Sequence, residues 1–499
     1  MTDQCMTNKT NSRKRGKIKK AVIILFWLGV WELAARVTDN PILLAGPLQT
    51  AGELCGLFGE AALYKTIFMS LLRIGAGFGA GFLTAIFLAA AGSRFSVLEE
   101  WLAPFMGLLK AVPVASFVVL LLIWWGSSLL ALAVSFLVVL PVVYISVLEG
   151  LKNLDRELAE MGRVFCLPSA SRFFYLYRPG LRPYLQGSLK TALGLAWKAG
   201  VAAEVIGTPD FSVGGRLYLS KLYLDAAGVF AWTATVLLLS FLFERAVLWG
   251  AEKFFAWQPA CGKPRPVLKK GIGQQRKAET GRGRLPEAEE GNEESRKAET
   301  GRGRLPEAGE GNEESRKAES DRGEQRGSGR ILMENVWKSF GDRTVLAGVS
   351  QAYEPGRIYY LRWPSGSGKT TLLRLLAGLE RPDRGRIRVE GNCSMVFQED
   401  RLCREYSAVK NVELVTGDAK SARRALELLL EPGTTEQPCK ELSGGMKRRV
   451  ALVRAMEADS AVVLLDEPFA GMDDRTRARA EEYIRRRQGG RTLIIATHI

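Results

Sequence analysis

Cysteine is scarce in this sequence of 499 residues, and the seven cysteines form no Cys-x-x-Cys pair. That scatter argues against a disulfide scaffold or a zinc site and suits reduced thiols in a cytoplasmic or membrane setting. A nucleic-acid fold motif is also lacking, although the formal net charge is +16. Because the basic residues lie beside apolar segments and in a charged linker, we predict no nucleic-acid partner.

Long apolar runs are absent between residues 262 and 329, where a 20-residue unit is repeated. Residues 276–295 and 296–315 differ at one position, with Gly309 in place of Glu289. Each unit offers a single leucine, so it cannot form a core. We therefore predict a disordered tether over residues 258–329. Since the chain is too long for one domain, this tether is predicted to join separate domains.

The first half of the chain has apolar runs of the length that crosses a bilayer, which is about 20 residues. The predicted spans are residues 21–37, 70–91, 103–125, 128–148, 186–207 and 228–250. They predict an all-α transmembrane domain of six helices over residues 21–257, after a basic N-terminus at residues 1–20. The first run could instead be a signal peptide. A retained helix is favoured because no cleavage site is obvious and further spans follow.

Orientation follows from the placement of Lys and Arg. The N-terminal flank and residues 151–184 are strongly basic, whereas residues 208–227 contain only Arg216 and Lys221. With six spans, the N-terminus, the 151–184 segment and the C-terminal half all lie in the cytoplasm. The sequence thus predicts a multi-pass protein of the cytoplasmic membrane.

The segment over residues 151–184 is polar and helical in period, and a plain loop is the simplest interpretation. Its residues Glu160, Gly162, Cys166 and Pro179 nevertheless resemble the coupling motif of bacterial ABC importers. Cys166 stands where that family has Gly, and Arg178 where it has Leu. The resemblance implies that this segment transmits motion between the permease and an ATPase.

Three other stretches resemble permeases of the sulfonate/nitrate/taurine importer family: residues 70–73 with Gly77, residues 111–113, and residues 201–204. Glu204 ends the last of these and lies within an apolar span, where a charge is costly unless it meets a polar partner or cavity. A residue that lines the transport pathway and a buried hydrogen bond between helices are both open interpretations.

From Arg330 onward, short β-like runs alternate with helical ones, which predicts an α/β domain over residues 330–499. Residues 357–371 read as a strand, a glycine-rich turn and a helix, the arrangement of a P-loop that surrounds phosphates. Lys369 is placed to reach the β- and γ-phosphates, and the Thr370 hydroxyl to ligate Mg²⁺. Trp363 departs from the pattern, which has Gly there. The loop must either accommodate the indole or be weakened by it.

Residues 462–467 form an apolar run that ends in two carboxylates, Asp466 to hold Mg²⁺ and Glu467 to polarise the attacking water. Before them, residues 442–446 form a glycine turn that starts a basic helix with Lys447, Arg448 and Arg449. Together they resemble the Walker B and signature sequences of ATP-binding cassettes, with Met446 where Gln is commonest.

The cassette resemblance also assigns roles to single residues. Phe340 would stack on adenine, Gln398 would link Mg²⁺ and water to the permease interface, Asp473 would cross the dimer interface, and His498, the sole histidine, would contact the γ-phosphate. The full assignment gives ATP contacts to Phe340, Ser365, Gly366, Ser367, Gly368, Lys369, Thr370, Thr371, Gln398, Ser443, Gly444, Gly445 and Asp473, Mg²⁺ ligation to Thr370, Gln398 and Asp466, and catalysis to Glu467, His498 and Lys369.

Family members continue beyond the switch histidine, whereas this sequence stops one residue after His498. Truncation, a second polypeptide that supplies the remainder, and an impaired cassette are all open interpretations.

The resemblance as a whole implies an ATP-driven importer in the lipid membrane that uses ATP and Mg²⁺. It would work as a homodimer, or with a second half-transporter, and with an external solute-binding protein. A sulfonate, a nitrate-like anion or a vitamin or pyrimidine precursor would be the solute. An ABC exporter and a nucleotide-sensing membrane regulator with a hydrolysis-impaired cassette are the alternatives.

Overall fold

The computed structural model describes residues 19, 22–38, 40, 42–259, 327–364, 366–431 and 433–497. Nearly all of the predicted tether and of the basic N-terminus lies outside these ranges. The chain divides into two compact units. The first ends at Leu154 and resumes over Arg178–Gln258, and the second joins Asp155–Tyr177 to the residues from Pro259 onward. The segment predicted to couple the domains therefore belongs to the unit that contains the C-terminal half.

The described part of the first unit is helical, as the apolar runs predict. Its helices are α1 (22–38), α2 (Pro47–Phe58), α3 (Ala61–Arg94), α4 (Ser96–Ala111), α5 (Val114–Lys152), α8 (Arg178–Gly207), α9 (Val213–Leu222) and α10 (Ala226–Ala256). Among the described residues, α3, α5 and α10 are long and apolar enough to cross a membrane.

Several predicted boundaries are wrong. The span predicted over residues 103–125 is broken, because α4 ends at Ala111 and α5 begins at Val114. Pro113 explains the break, since proline disfavours helical backbone in the residue before it and suits a helix start. Within α5, Gly126 has φ 71° and ψ −179°, at the boundary expected between two spans. Pro179 does not close the preceding segment but lies in the first turn of α8, where proline is tolerated.

Helices α3 and α5 pack with their backbones in close approach at glycine. A Cβ atom on Gly77 would lie 2.2 Å from the carbonyl oxygen of Leu132, and one on Gly81 would lie 2.9 Å from that of Phe136. Apolar helices in a bilayer associate through such close packing of small residues, because lipid supplies no hydrophobic drive between them. Gly77 is therefore a packing requirement of the first unit.

We expect Gly77→Ala to destabilise the first unit by roughly 1–3 kcal/mol, since the added methyl group must displace backbone. Gly79→Ala is the matched control on the same helix, because nothing lies within 4 Å of a Cβ there. Thermal unfolding of the detergent-purified proteins measures the difference. Equal midpoints for the two variants would contradict the packing described.

The second unit contains two sheets and confirms the predicted α/β class. Strands β1 (Ile331–Phe340), β2 (Arg343–Tyr353) and β4 (Arg384–Val389) form an antiparallel sheet in the order β2-β1-β4. Strands β3 (Ile358–Leu361), β5 (Cys393–Val396), β6 (Val462–Asp466) and β7 (Thr492–Ala496) form a parallel sheet in the order β3-β7-β6-β5. Every residue of β6 and β7 is buried, as expected for parallel strands covered on both faces.

Helices of the second unit are α6 (Arg156–Val164), α7 (Ser169–Arg172), α11 (Lys369–Leu376), α12 (Ala408–Thr416), α13 (Ala419–Glu427), α14 (Gly444–Glu457) and α15 (Asp474–Arg487). The carboxyl ends of the parallel strands meet at one edge, where Leu361 and Asp466 both pair with Ala496. Ligands of open parallel sheets bind at that edge. It is the location of the predicted nucleotide site.

Candidate functional site

The glycine-rich loop joins β3 to α11 and has the backbone of a phosphate-binding turn. Gly366 and Gly368 have φ of 76° and 94°, values that favour glycine. A Cβ atom on Gly368 would also lie 2.7 Å from Cγ1 of Val345. Lys369 begins α11, and its Nζ donates to the carbonyl oxygens of Trp363 at 2.7 Å and Pro364 at 3.2 Å. The lysine amine is thus held over the loop in which a phosphate would lie.

Trp363 is accommodated in this loop. It is not among the residues other than glycine with positive φ in the described part of the chain, so its backbone is not in the left-handed region. Its side chain is partly buried against the core of the second unit. The indole therefore replaces glycine without left-handed backbone strain. Ser365 lies outside the described residues.

Asp466 ends β6 next to the loop and is almost fully buried, with 1% of its surface exposed. Burial raises the pKa of its carboxyl, while the hydroxyl of Thr370 beside it acts in the opposite direction. Its Oδ2 atom is buried without a hydrogen-bond partner. A buried carboxylate oxygen with no protein partner, beside a threonine hydroxyl, fits a cation.

The donor set suits Mg²⁺ in particular. Among the described residues, no group of three or more His, Cys, Asp or Glu side chains could hold a metal alone. Mg²⁺ is commonly held by one or two protein oxygens together with substrate phosphates and water. Thr370 and Asp466 supply such oxygens. Gln398 follows β5 at the same edge of the sheet and is exposed.

Glu467 follows Asp466 in an uncommon backbone conformation, with φ of 48°. Its amide donates to the carbonyl oxygen of Ala496 at 2.9 Å, and its own carbonyl accepts from the amide of Ala470 at 3.2 Å. A residue other than glycine in this region costs on the order of 1–3 kcal/mol and persists only where its surroundings impose it, often at functional sites. The surrounding structure therefore imposes the backbone conformation of Glu467, and with it the direction in which its side chain leaves the backbone.

Phe340 ends β1 with 51% of its surface exposed, and Nζ of Lys338 lies 5.2 Å from its ring centroid. An exposed ring of this kind is free to stack on a flat ligand. His498, the predicted switch residue, lies outside the described residues, which end at Thr497 after β7.

The signature turn starts α14 with Ser443 as its cap, whose Oγ accepts from the amide of Met446 at 3.3 Å. A Cβ atom on Gly445 would lie 2.7 Å from the carbonyl oxygen of Gly471, so glycine is required there. Asp473 caps α15 in the same way and accepts from the amide of Thr476 at 2.7 Å, which lowers the pKa of its carboxyl. The ATP contacts predicted for Ser443, Gly444, Gly445 and Asp473 stay predictions.

Glu160 of the coupling segment lies in a cluster of arginines within the second unit. Its Oε2 accepts from Arg374 at 3.1 Å and from Arg401 at 2.8 Å, and its Oε1 accepts from Arg374 at 3.3 Å. Burial acts to raise the pKa of Glu160, but the hydrogen bonds from the two arginines outweigh it and lower the pKa. The contact is thus complete at neutral pH and weakens only as pH falls through the lowered pKa.

Apolar packing holds the same segment. Met161, Phe165 and Tyr175 belong to the buried core that also contains the strands and helices around the nucleotide site. The ring of Tyr175 meets that of Tyr406 edge to face, with centroids 5.4 Å apart. The alternative of a plain loop is therefore wrong for residues 155–177, which pack as part of the second unit.

Two predicted coupling residues have clear backbone or packing roles. A Cβ atom on Gly162 would lie 2.7 Å from Cδ1 of Leu176, so glycine permits close packing there. Cys166 has φ of 50°, which explains in physical terms why glycine suits its position.

Sequence reasoning missed Arg374 and Arg401, and it misjudged Arg448. The first two are single arginines after the P-loop helix start and after β5, and no local pattern marks their partner far away in the chain. Arg448 was assigned only to the basic start of a helix, and its burial, with 3% of the side chain exposed, was not foreseen. Its place in an otherwise apolar helical period was the available signal.

Glu204 is fully buried in the first unit, which supports the interpretation as a hydrogen bond between helices. Its Oε2 accepts from the Ser70 hydroxyl at 2.8 Å and from the Gly214 amide at 3.1 Å. Nη1 of Arg73 lies 4.0 Å from its Oε1. The carboxylate thereby joins α3, α8 and α9.

Comparison with known proteins gives two family matches. Residues 77–253 match the binding-protein-dependent transport system inner membrane component, and residues 346–470 match the ABC transporter family. The second of these regions lies in the second unit. The first lies in the first unit except for its residues 155–177, which belong to the second unit.

Curated relatives match the second region. Aliphatic sulfonates import ATP-binding protein SsuB 1 of Nocardia farcinica (strain IFM 10152) is 44% identical over 30% of this chain and 62% of its own length. The protein of that name from Rhodococcus jostii (strain RHA1) is 40% identical over 32% of this chain and 69% of its own length. Fe(3+) ions import ATP-binding protein FbpC of Agrobacterium fabrum (strain C58 / ATCC 33970) is 39% identical over 34% of this chain and 54% of its own length. The chain thus spans between about half and two thirds of these relatives.

We expect Asp466→Asn to stabilise the second unit while it weakens metal-dependent nucleotide binding. Because the pKa of this carboxyl is raised in the folded state, its ionisation lowers the free energy of unfolding as pH rises through the ordinary pKa of aspartate. Removal of the charge is therefore expected to raise the free energy of unfolding by on the order of 1 kcal/mol at pH 7. Thermal unfolding and titration with a fluorescent ATP analogue, each with and without Mg²⁺, measure both effects. The exposed Asp342→Asn is the control. If Mg²⁺ strengthened binding of the ATP analogue as much in the variant as in the unaltered chain, the assignment of Asp466 as an Mg²⁺ ligand would be contradicted.

Proposed function

Because the chain belongs to the ABC transporter family and carries a permease and an ATP-binding cassette in one polypeptide, we propose that it is half of an ATP-driven importer. The cassette would hydrolyse ATP on the cytoplasmic side, and the permease would carry a small solute across the cytoplasmic membrane. The positive-inside pattern of the basic segments supports this orientation.

The observation that carries the proposal is the position of helix α11. Its N-terminus is the P-loop lysine, Lys369, and its last turn carries Arg374, which binds Glu160. Residues 155–177 continue directly into α5 at one end and α8 at the other. A displacement of the P-loop helix would therefore be passed, by this ion pair and by the apolar packing beside it, to a segment that is covalently joined to the permease at both ends.

The site residues divide the chemistry of ATP hydrolysis among them. The Lys369 amine exchanges its carbonyl partners for phosphate oxygens, and α11 presents its N-terminal amides to the same charge. Thr370 and Asp466 would hold Mg²⁺, which neutralises phosphate charge when bound. The Glu467 carboxylate orients the attacking water and accepts its proton. Gln398 and His498 are proposed to contact the water and the γ-phosphate.

Two copies of the chain are needed for a complete transporter of this kind. One chain holds one permease and one cassette, and in this family the signature of one cassette completes the ATP site of the other. Ser443 and Gly444 are exposed in the described second unit, as a residue that meets a partner must be. We propose a homodimer, which gives closed two-fold symmetry, and an external binding protein that delivers the solute.

The solute is proposed from the permease resemblance and from the relatives. The relatives include import proteins for aliphatic sulfonates and for Fe(3+), so the cassette alone does not select between solutes. The permease stretches at residues 70–73, 111–113 and 201–204 resemble the sulfonate/nitrate/taurine importer family, to which an organic sulfonate is suited. Nitrate-like anions and vitamin or pyrimidine precursors suit the same permease family.

Steady-state ATPase activity of the purified chain tests the cassette. We expect turnover that Glu467→Gln reduces by two orders of magnitude or more while ATP binding persists, since only proton acceptance is removed. Glu354→Gln, at an exposed turn, is the control. Tight ATP binding without turnover in the unaltered chain would instead support a nucleotide sensor.

Transport direction is tested by reconstitution into vesicles with ATP on the cassette side. We expect uptake of an aliphatic sulfonate such as ethanesulfonate to require both ATP and an external binding protein that recognises that solute. ATP-driven movement toward the side opposite the cassette, without a binding protein, would contradict import and favour an exporter.

A further inference from the structure

Arg448 is a buried cation that the proposed mechanism does not use. It lies in the first turns of α14, and only 3% of its surface is exposed. An arginine buried to this degree costs several kcal/mol unless all of its donors find partners. Its contacts therefore show what its charge stabilises.

The guanidinium bridges the ends of two neighbouring parallel strands. After β6, its Nε and Nη2 donate to the carbonyl oxygen of Glu467 at 3.0 and 2.7 Å, and Nη2 also donates to that of Asp466. After β5, its Nη1 donates to the carbonyl oxygens of Phe397 at 2.5 Å and Gln398 at 3.2 Å. Oδ1 of Asp400, 3.4 Å from Nη1, supplies a negative charge.

The contact with Glu467 has a mechanical consequence. Glu467 is in the left-handed region, with φ of 48°, and two of the guanidinium nitrogens hold its carbonyl oxygen. Fixing that peptide fixes the backbone from which the Glu467 side chain projects. The same side chain fixes the peptide after Gln398, so the two segments are held at a set distance from each other.

We propose that Arg448 is the positioning residue that sets Glu467 and Gln398 relative to each other and ties both to the signature helix α14. The expected effect on kcat rests on the proposed ATP hydrolysis, whereas the expected effect on the backbone does not. Arg448 holds the two strand ends in place, because its donors bind backbone carbonyls and one carboxylate within the protein. The planar, forked guanidinium meets both strand ends at once, which a lysine amine cannot do.

Arg454 provides a matched comparison on the same helix. It is 1% exposed, and it donates to the carbonyl oxygens of Arg401 at 2.8 Å and Asp400 at 3.1 Å. Its hydrogen bonds thus reach the segment after β5, and its guanidinium lies 5.1 Å from the centroid of the Phe165 ring, but it does not bridge to Asp466 or Glu467 as Arg448 does. A merely structural role would make the two arginines equivalent in their effect on turnover per folded molecule.

The test compares Arg448→Gln, Arg448→Lys and Arg454→Gln in the full-length purified chain. We expect both glutamine variants to lower the unfolding temperature. Only the Arg448 variants should lower kcat per folded molecule, by 10-fold or more, with the Kd for a fluorescent ATP analogue changed less than threefold, because small displacements of a catalytic group cost that much. Arg448→Lys should recover stability more than kcat.

Hydrogen–deuterium exchange of the same variants provides a readout that needs no turnover. Arg448→Gln should raise exchange in both segments, residues 395–401 and 464–470, whereas Arg454→Gln should raise it in residues 395–401 alone. If the unaltered chain does not hydrolyse ATP, the proposed function fails, and the exchange pattern still decides the role of Arg448. Equal exchange changes in the two variants, or equal losses of kcat, would overturn the proposal.

Discussion

The ion pairs of Glu160 with Arg374 and Arg401 are the contacts on which the architecture depends. They are partly buried, multidentate and charge-assisted, which makes them stronger and more directional than exposed pairs. Removal of Glu160 would leave the Arg401 guanidinium, whose side chain is 6% exposed, with the more exposed Glu399 as its ion-pair partner, which is destabilising for a charge held away from water. They hold a short segment of the permease sequence as part of the cassette unit.

The parallel sheet explains why so many distant residues act together. The loop after β3 is the proposed phosphate site, and the ends of β5 and β6 carry Gln398, Asp466 and Glu467. All reach one edge because parallel strands share a direction. Arg374 lies on α11, which leaves that edge, and Arg448 lies in the first turns of α14, where it contacts the strand ends at the same edge. Phosphate binding, water activation and the contact with Glu160 are therefore neighbouring events in one packed unit.

Periodicity and motif spacing predicted the local features of the second unit. The α/β class, the glycine loop and the carboxylates at the end of β6 were predicted correctly because each depends on residues adjacent in the chain. The span over residues 103–125 was wrong because its hydropathy is continuous across Pro113, whose backbone constraint breaks the helix. The partners of Glu160 and Arg448 were missed because hydrogen bonds between distant segments leave no local pattern.

The central claim is that the Glu160–Arg374 contact transmits ATP-site motion to the permease. A double-mutant cycle of Glu160→Gln, Arg374→Gln and the double variant measures it directly, with solute taken up per ATP hydrolysed in reconstituted vesicles as the readout. The account predicts that each single variant lowers this ratio and that the double variant lowers it no further than the worse single one. Additive losses, or an unchanged ratio in either single variant, would contradict it.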